Sequence, residues 1–456
     1  MPIALRSAAA ACLALAGSIA VFATTPQAAE VKVEADLSQT VLPTSKTGSV
    51  YLRLSLKSLA AAKRERDTRI NTALVIDRSG SMGGDRIAAA KEGARVALER
   101  LSDDDTIALV AYNHEVQVLS DAARLGRSRD ELASAIKQLR AGGTTALYAG
   151  VEEGGRQVEE HLSDDNVNRV ILLSDGLANV GPSSPHELAR LGRKLASRGI
   201  TVSTIGLGLD YNEDLMQRLA AASDGNHVFV ERPSDLAEIF DREFGDALSV
   251  AARDIDIIIE CRLGFEPIRI LGRDGKIDGN RITLKMNQLQ SENERYVVVE
   301  LKVPEGKSAG AADIADVRVD YVDLDKDGKR VHAEARPRVR FSADAKAIEG
   351  GLNKTVMSQV AAQIATERSE EAVALRDKGD IDGARRVLED NAAYIKRSYQ
   401  QFGTGADAAP TASIGTLNDL EKQNRAAAEN LDADNWNRTR KALRYDQHKA
   451  KSQQAY

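Results

Sequence analysis

The alternation of apolar and polar residues divides the chain into three regions. From 72 to about 250, short apolar runs alternate with segments in which apolar residues recur at helical spacing. From 251 to 345, and again at 31–37 and 49–56, apolar and polar residues alternate, which indicates half-buried strands separated by turns. From about 346 onward the pattern is helical and more polar. The sequence therefore predicts an α/β region, an all-β region and a helical tail.

The order of these regions predicts a fold. Strands separated by helices imply right-handed crossovers, so 69–249 is predicted to form a doubly wound, mostly parallel sheet. The strands of 250–345 predict a β-sandwich. The strands within 30–68 have no partners of their own, so we expect them to complete this sandwich, with the α/β domain inserted in it. A helical region over 346–456 follows, with a flexible linker expected near 403–415.

The N-terminal residues differ from the rest of the chain. Residues 1–29 contain Arg6 as their only charge and an Ala/Leu/Val-rich run to about Ala23. This pattern is typical of a secretory signal peptide, and an uncleaved membrane anchor is the alternative. No later segment approaches the roughly 18 apolar residues of a membrane span. We therefore expect an exported protein, periplasmic, cell-surface or extracellular, with no transmembrane span in the mature chain.

Polar side chains follow the apolar run of ALVIDRSGSM, at 73–82. Asp77, Ser79 and Ser81 alternate along that loop, so their side chains can point the same way and surround one position with oxygen atoms. Oxygen donors suit a hard cation such as magnesium. Serines that cap the following helix are the alternative interpretation.

Two further loops are expected at the same edge of the sheet. RAGGTTAL places Thr144 behind two glycines and before a helix, and LLSDGLAN places Asp175 at the end of another apolar strand. Ligands on open α/β sheets bind beyond the carboxyl ends of the strands, so these side chains are candidates for the same site.

DRSGSM, GGT and SDG, in this order and on this strand and helix pattern, resemble the metal-ion-dependent adhesion site of a von Willebrand factor type A domain. The resemblance covers roughly 70–248 and implies Mg²⁺ or Mn²⁺ as the metal, with an acidic side chain of a protein partner completing its coordination. It also implies five metal ligands, namely Asp77, Ser79, Ser81, Thr144 and Asp175. Secreted proteins of the inter-alpha-inhibitor and bacterial surface von Willebrand type have a similar arrangement of regions.

The all-β region contains a second candidate metal site. DLDKDGKRVHAE places Asp323, Asp325 and Asp327 at the spacing of a Ca²⁺-binding loop. The flanking segments alternate as strands do, and the flanking helices of an EF-hand are missing, so a β-hairpin is the favoured interpretation.

The remaining chemistry argues against catalysis and against nucleic acid as a partner. The six histidines show no HExxH spacing, and neither GxSxG nor a phosphate-binding glycine loop is present. A formal net charge of −6 does not favour a nucleic-acid partner. We expect a non-enzymatic binding protein that captures an exposed Asp or Glu of a protein partner through a divalent metal. The alternatives are an envelope structural or assembly protein, or a cofactor of an ATPase chaperone, in which the metal is mainly structural.

Overall fold

The computed structural model describes residues 31–45, 48–59, 69–163, 166–324, 328–405 and 407–453. The predicted signal peptide at 1–29 lies outside these residues. Within the described ranges, no helix combines the length and the apolar character that crossing a membrane requires.

Eighteen strands and eleven α-helices are numbered here in chain order, within the described part of the chain. The strands are β1 Val31–Leu37, β2 Val41–Pro43, β3 Gly48–Ser58, β4 Arg69–Asp77, β5 Thr106–Tyr112, β6 Val116–Arg124, β7 Asn166–Ser174, β8 Ile200–Leu207, β9 His227–Val230, β10 Val250–Cys261, β11 Glu266–Leu271, β12 Lys276–Asp278, β13 Arg281–Gln290, β14 Glu294–Val303, β15 Gly310–Asp313, β16 Ala315–Asp323, β17 Lys329–Ala335 and β18 Arg338–Ser342. The α-helices are α1 Asp85–Arg100, α2 Leu125–Gln138, α3 Leu147–Glu159, α4 Pro185–Ala196, α5 Glu213–Ser223, α6 Leu236–Leu248, α7 Ala345–Glu349, α8 Lys354–Asp377, α9 Ile381–Phe402, α10 Thr411–Glu429 and α11 Ala433–Ser452.

The α/β region forms one six-stranded sheet in the order β6-β5-β4-β7-β8-β9. Every neighbouring pair is parallel except β5 with β6. Central strand β4 is apolar on both faces because helices cover both: Leu74 and Ile76 belong to one buried core, and Ala73 and Val75 to the other. The predicted doubly wound, mostly parallel sheet is confirmed.

Two antiparallel sheets share a third hydrophobic core. Their strand orders are β1-β3-β14-β11 and β12-β13-β10-β16-β17, and the core takes Leu54 and Val297 from the first and Ile257 and Leu284 from the second. Strands β1 and β3 precede the α/β region in sequence, yet β3 pairs with β14, which follows it. A small sheet, β15-β18-β2, completes the all-β part.

The helical tail is packed where the sequence predicted a flexible linker. The expectation of a linker over 403–415 is wrong for its last five residues, because α10 begins at Thr411 directly after Pro410. Ile414 packs against a buried cluster to which Leu417 and Leu420 also belong. These three residues recur every third position, so burying one helix face outweighs the Gly- and Ala-rich composition.

The last helix, α11, returns to the α/β domain. Lys441 is buried there; its Nζ lies 2.6 Å from Glu213 Oε2, donates to the backbone oxygen of Tyr211 at 2.8 Å, and lies 4.5 Å from the Tyr211 ring centre. His448 Nε2 contacts the backbone oxygen of Gly225 at 3.0 Å. The tail is thus fixed against the domain that carries the candidate site.

Candidate metal centre

Asp77 is the last residue of β4 and its side chain is buried. One carboxylate oxygen accepts a hydrogen bond from the backbone N–H of Ser79 at 2.8 Å, and the other accepts from the Ser174 hydroxyl at 2.7 Å. Burial raises the pKa of Asp77, and the hydrogen bonds from Ser174 and Ser79 only partly oppose that shift. Asp77 is therefore a buried acid held by neutral donors.

The loop after β4 brings two hydroxyls beside a second acid. The Ser79 and Ser81 hydroxyl oxygens lie 3.0 Å apart, and Ser81 donates to Asp175 Oδ1 at 2.7 Å. Met82 is buried in the core and anchors the loop, whereas Ser81 is exposed. Asp175 itself is buried directly after β7. The cluster is thus open to solvent on the Ser81 side.

A third hydroxyl comes from Thr145. A Cβ atom added at Gly176 would lie 3.2 Å from Thr145 Oγ1, 3.3 Å from Ser81 Oγ and 3.6 Å from Ser79 Oγ. The three hydroxyls therefore converge on the backbone of Gly176, which approaches them closely because it carries no side chain.

Thr144, the predicted fifth ligand, is exposed, and the structure instead brings the buried hydroxyl of Thr145 to the cluster. Asn179 fixes Thr145: its side-chain oxygen accepts from the Thr145 N–H at 2.9 Å, and its own N–H donates to the Thr145 carbonyl at 3.1 Å. The sequence places both threonines between the glycines and α3, which begins at Leu147, and no local pattern distinguishes them.

Gly142 and Gly143, which precede the two threonines, bring their loop against the loop that follows β4. The N–H of Gly80 donates to the carbonyl of Gly143 at 2.9 Å. Gly143 has a φ of 88°, which strains any other residue, and a Cβ there would lie 2.4 Å from His114 Nδ1, so the histidine would have to move.

Arg86 is a contact that the sequence analysis missed. Its Nη1 donates to Asp175 Oδ2 at 2.5 Å and its Nη2 to Asp210 Oδ2 at 2.8 Å. Arg86 is the second residue of α1, where the helix dipole disfavours a positive charge. That unfavourable position is a signal that could have indicated an acidic partner elsewhere in the fold.

The candidate calcium loop contains Asp323, Asp325 and Asp327. Asp325 and Asp327 lie outside the described residues. Asp323 ends β16 and lies opposite Lys329 in the antiparallel pairing with β17, so the expected β-hairpin is confirmed by the strands on both sides of the turn. Across the described ranges, no group of three or more His, Cys, Asp or Glu side chains is placed to hold a metal.

The α/β domain that carries the oxygen cluster has counterparts among known proteins. Residues 71–242 match the family model of the von Willebrand factor type A domain. An uncharacterised protein of Synechocystis is 28% identical over 44% of this chain and 48% of its own length. Human inter-alpha-trypsin inhibitor heavy chain H4 is 29% identical over 37% of this chain and 19% of its own length. The matches span about half or less of these relatives.

A solved structure extends the likeness in fold to most of the chain. The von Willebrand factor type A protein from Catenulispora acidiphila gives a TM-score of 0.68 at 19% identity, covering 88% of this chain and 98% of that one. This chain therefore contains a von Willebrand factor type A domain, accompanied by a helical C-terminal region. Domains of this class typically mediate protein interactions and often bind a divalent metal.

Proposed function

We propose that this chain is an exported, non-enzymatic interaction module that captures an acidic side chain of a protein partner through Mg²⁺ or Mn²⁺. The observation that supports this most directly is the convergence of oxygen side chains at one solvent-open point of the sheet edge. These side chains are Asp77, Ser79, Ser81, Thr145 and Asp175.

The donor set fits a hard divalent cation. Two carboxylates would neutralise its charge, and the hydroxyls of Ser79, Ser81 and Thr145 add neutral oxygen ligands. Together they fall short of the six ligands that Mg²⁺ prefers. A bound ion would supply a coordination position for a carboxylate oxygen from outside, and exposed Ser81 lies on the side from which that oxygen can enter.

The surrounding residues keep the donors in place. Ser174 and the Ser79 backbone hold the Asp77 carboxylate, while Asn179 fixes Thr145 at both backbone groups. Such supporting hydrogen bonds orient ligands before the ion arrives, which lowers the entropy lost on binding.

A binding role is also supported by what the two serines contact. Their hydroxyls bond to each other and to Asp175, and among the described residues no histidine hydrogen-bonds either of them. His227 is buried, with its Nδ1 2.9 Å from the Thr204 hydroxyl. The base beside Ser81 is the Asp175 carboxylate, and its other oxygen accepts from Arg86, which weakens its ability to take a proton from a serine nucleophile.

The proposal includes the architecture and the export route. We place the von Willebrand factor type A domain, at 69–249, as an insertion in a β-sandwich built from 30–68 and 250–345, with 346–456 as the helical tail. The shared core of the two antiparallel sheets supports this arrangement. Export to the periplasm, cell surface or medium rests on the signal-like residues 1–29.

Metal titration and partner capture test the function together. Calorimetry of the mature chain should show one Mg²⁺ or Mn²⁺ site that is lost in Asp77→Ala and kept in Asp278→Asn, a control at an exposed carboxylate. Immobilised wild-type protein with Mg²⁺ should capture envelope or extracellular proteins, and chelator or Asp77→Ala should release them.

Chemistry on the captured proteins tests the partner's acid. Amidating their carboxylates with carbodiimide and glycinamide should abolish rebinding. If Asp77→Ala lowers the melting temperature but leaves capture unchanged, the metal is structural and the interaction proposal is wrong.

A further inference from the structure

Arg86 bridges the candidate metal centre and a neighbouring loop. Its guanidinium contacts the buried carboxylate of Asp175 at 2.5 Å and that of Asp210, in the loop between β8 and α5, at 2.8 Å. The Arg86 side chain is 26% exposed, and Asp210 is 64% exposed. Arg86 therefore links the buried carboxylate of Asp175 to the solvent-exposed carboxylate of Asp210.

The surrounding backbone makes room for this bridge. Gly208 directly follows β8 with a φ of 76°, and a Cβ there would lie 3.1 Å from Arg86 Nη2. A side chain at this position would press on the guanidinium where it reaches toward Asp210.

The loop that carries Asp210 is tied to the C-terminal helix on both sides. Asn437 donates to the Leu209 carbonyl at 2.8 Å, and Lys441 donates to the Tyr211 carbonyl at 2.8 Å. Helix α11 thus fixes Asp210 as an acceptor for Arg86.

The two oxygens of Asp175 are both engaged, one by Ser81 and the other by Arg86. A divalent ion among the same oxygens would face the guanidinium at short range, and like charges repel strongly near a buried site. Arg86 and the ion therefore compete for Asp175, while Asp210 remains available to Arg86.

We propose that Arg86 is the residue that sets the divalent-metal affinity of this site. It is the resident counter-cation of Asp175 and is retained by Asp210 when a metal takes its place. This inference rests on the proposed metal site. It predicts opposite effects at two residues that are not themselves metal ligands. Removing the Arg86 charge should tighten metal binding, and removing the Asp210 charge should weaken it by leaving Arg86 with Asp175 alone.

A double-mutant cycle separates this competition from a general change of charge. Mn²⁺ and Mg²⁺ binding is measured by calorimetry for the wild type, Arg86→Gln, Asp210→Asn and the double variant. Arg86→Gln should lower the Kd by about tenfold, and Asp210→Asn should raise it by about threefold. When Arg86 is already replaced by Gln, the further Asp210→Asn substitution should no longer raise the Kd. Arg95→Gln, an exposed charge on the same helix, should leave the Kd unchanged.

Melting curves give a second readout. In chelator, Arg86→Gln should melt below the wild type because Asp175 loses its cation, and saturating Mn²⁺ should narrow that gap. Unchanged or weaker metal binding in Arg86→Gln, or an Asp210→Asn effect that persists without Arg86, overturns the inference. Metal binding by Arg86→Gln but not by the wild type supports it. Absence of binding in every variant overturns the proposed metal site as well.

Discussion

Asp77 and Asp224 are both largely buried acids, but different donors face them. Asp224 caps α5 and accepts from Arg273 Nη1 at 2.8 Å and from both terminal nitrogens of Arg295 at 2.8 Å. Burial alone would raise the pKa of Asp224, yet Arg295 and Arg273 hold it well below its usual range. Burial does raise the pKa of Asp77, whose hydrogen-bond donors among the described residues are hydroxyl and backbone amide groups.

This difference separates an acid that joins two regions of the fold from an acid of the proposed metal site. Arg295 lies in β14 and Arg273 in the turn between β11 and β12, so Asp224 joins the antiparallel sheets to the von Willebrand factor type A domain through two ion pairs. Asp77 has its hydrogen bonds but no matching cation among its described contacts. A buried carboxylate without a cation is stabilised when a metal ion binds it. Asp224 is already paired with two arginines, so a metal ion would add little to its stability.

The largest expected effect tests this contrast directly. Asp224→Asn leaves two buried guanidiniums without their anion and should lower the free energy of unfolding by about 3–5 kcal/mol. Asp77→Asn, measured in chelator, should change it by less than about 1 kcal/mol, because the amide can keep an acceptor for Ser79 and no buried cation loses its partner. Urea unfolding at pH 7 measures both.

Asp278→Asn serves as the control, since its ion pair with Lys276 is exposed on both sides (77% and 74%) and should contribute at most about 0.5 kcal/mol. Equal destabilisation by Asp77→Asn and Asp224→Asn would show that the two acids have the same structural role.

The second-largest expected effect is the pH dependence of the unfolding free energy that His448 causes near Asp224. His448 is buried beside Gly225, and burial lowers its pKa to about 4. The folded protein keeps His448 neutral while the unfolded chain takes up a proton near pH 6.5, so stability is lost as the pH falls from about 6.5 to 4. The wild type should lose on the order of 3 kcal/mol relative to His448→Gln over this range.

Comparison with His448→Gln isolates this group, because the Gln amide can still donate to the Gly225 carbonyl. Asp246 and Asp446 have pKa values raised to about 6 and about 7, chiefly by burial, and stabilise the fold as the pH falls. They are present in both proteins, so their contribution cancels in the difference. Parallel curves of unfolding free energy against pH would contradict the prediction.

The smallest expected effect is a change in metal affinity when a threonine hydroxyl is removed near Asp77. Thr145→Val removes a hydroxyl from the cluster with little change of shape and should raise the metal Kd by about tenfold. Thr144→Val is the matched control one residue away on an exposed side chain, and its Kd should stay within about twofold of wild type. Calorimetry with Mn²⁺ checks both, and a larger loss in Thr144→Val would restore the sequence-based assignment.

Much of this protein was predictable from local patterns. The alternation of strands and helices, the apolar run of β4 and the positions of Asp77, Ser79, Ser81 and Asp175 at strand ends follow from periodicity within short windows. Parallel strands bring their carboxyl ends to one edge, so these four residues could be grouped before the fold was known. Local pattern suffices here because strand direction and burial determine which side chains lie at that edge.

Tertiary structure alone decided the remaining features, because they depend on pairings between distant residues. Thr145 instead of Thr144 enters the cluster because Asn179, 34 residues away, holds its backbone. Arg86 and Asp175 are 89 residues apart, and Arg295 lies 71 residues from Asp224. No local window contains both members of such a pair. Charge matching across the fold, which distinguishes Asp77 from Asp224, is therefore a property of the folded chain.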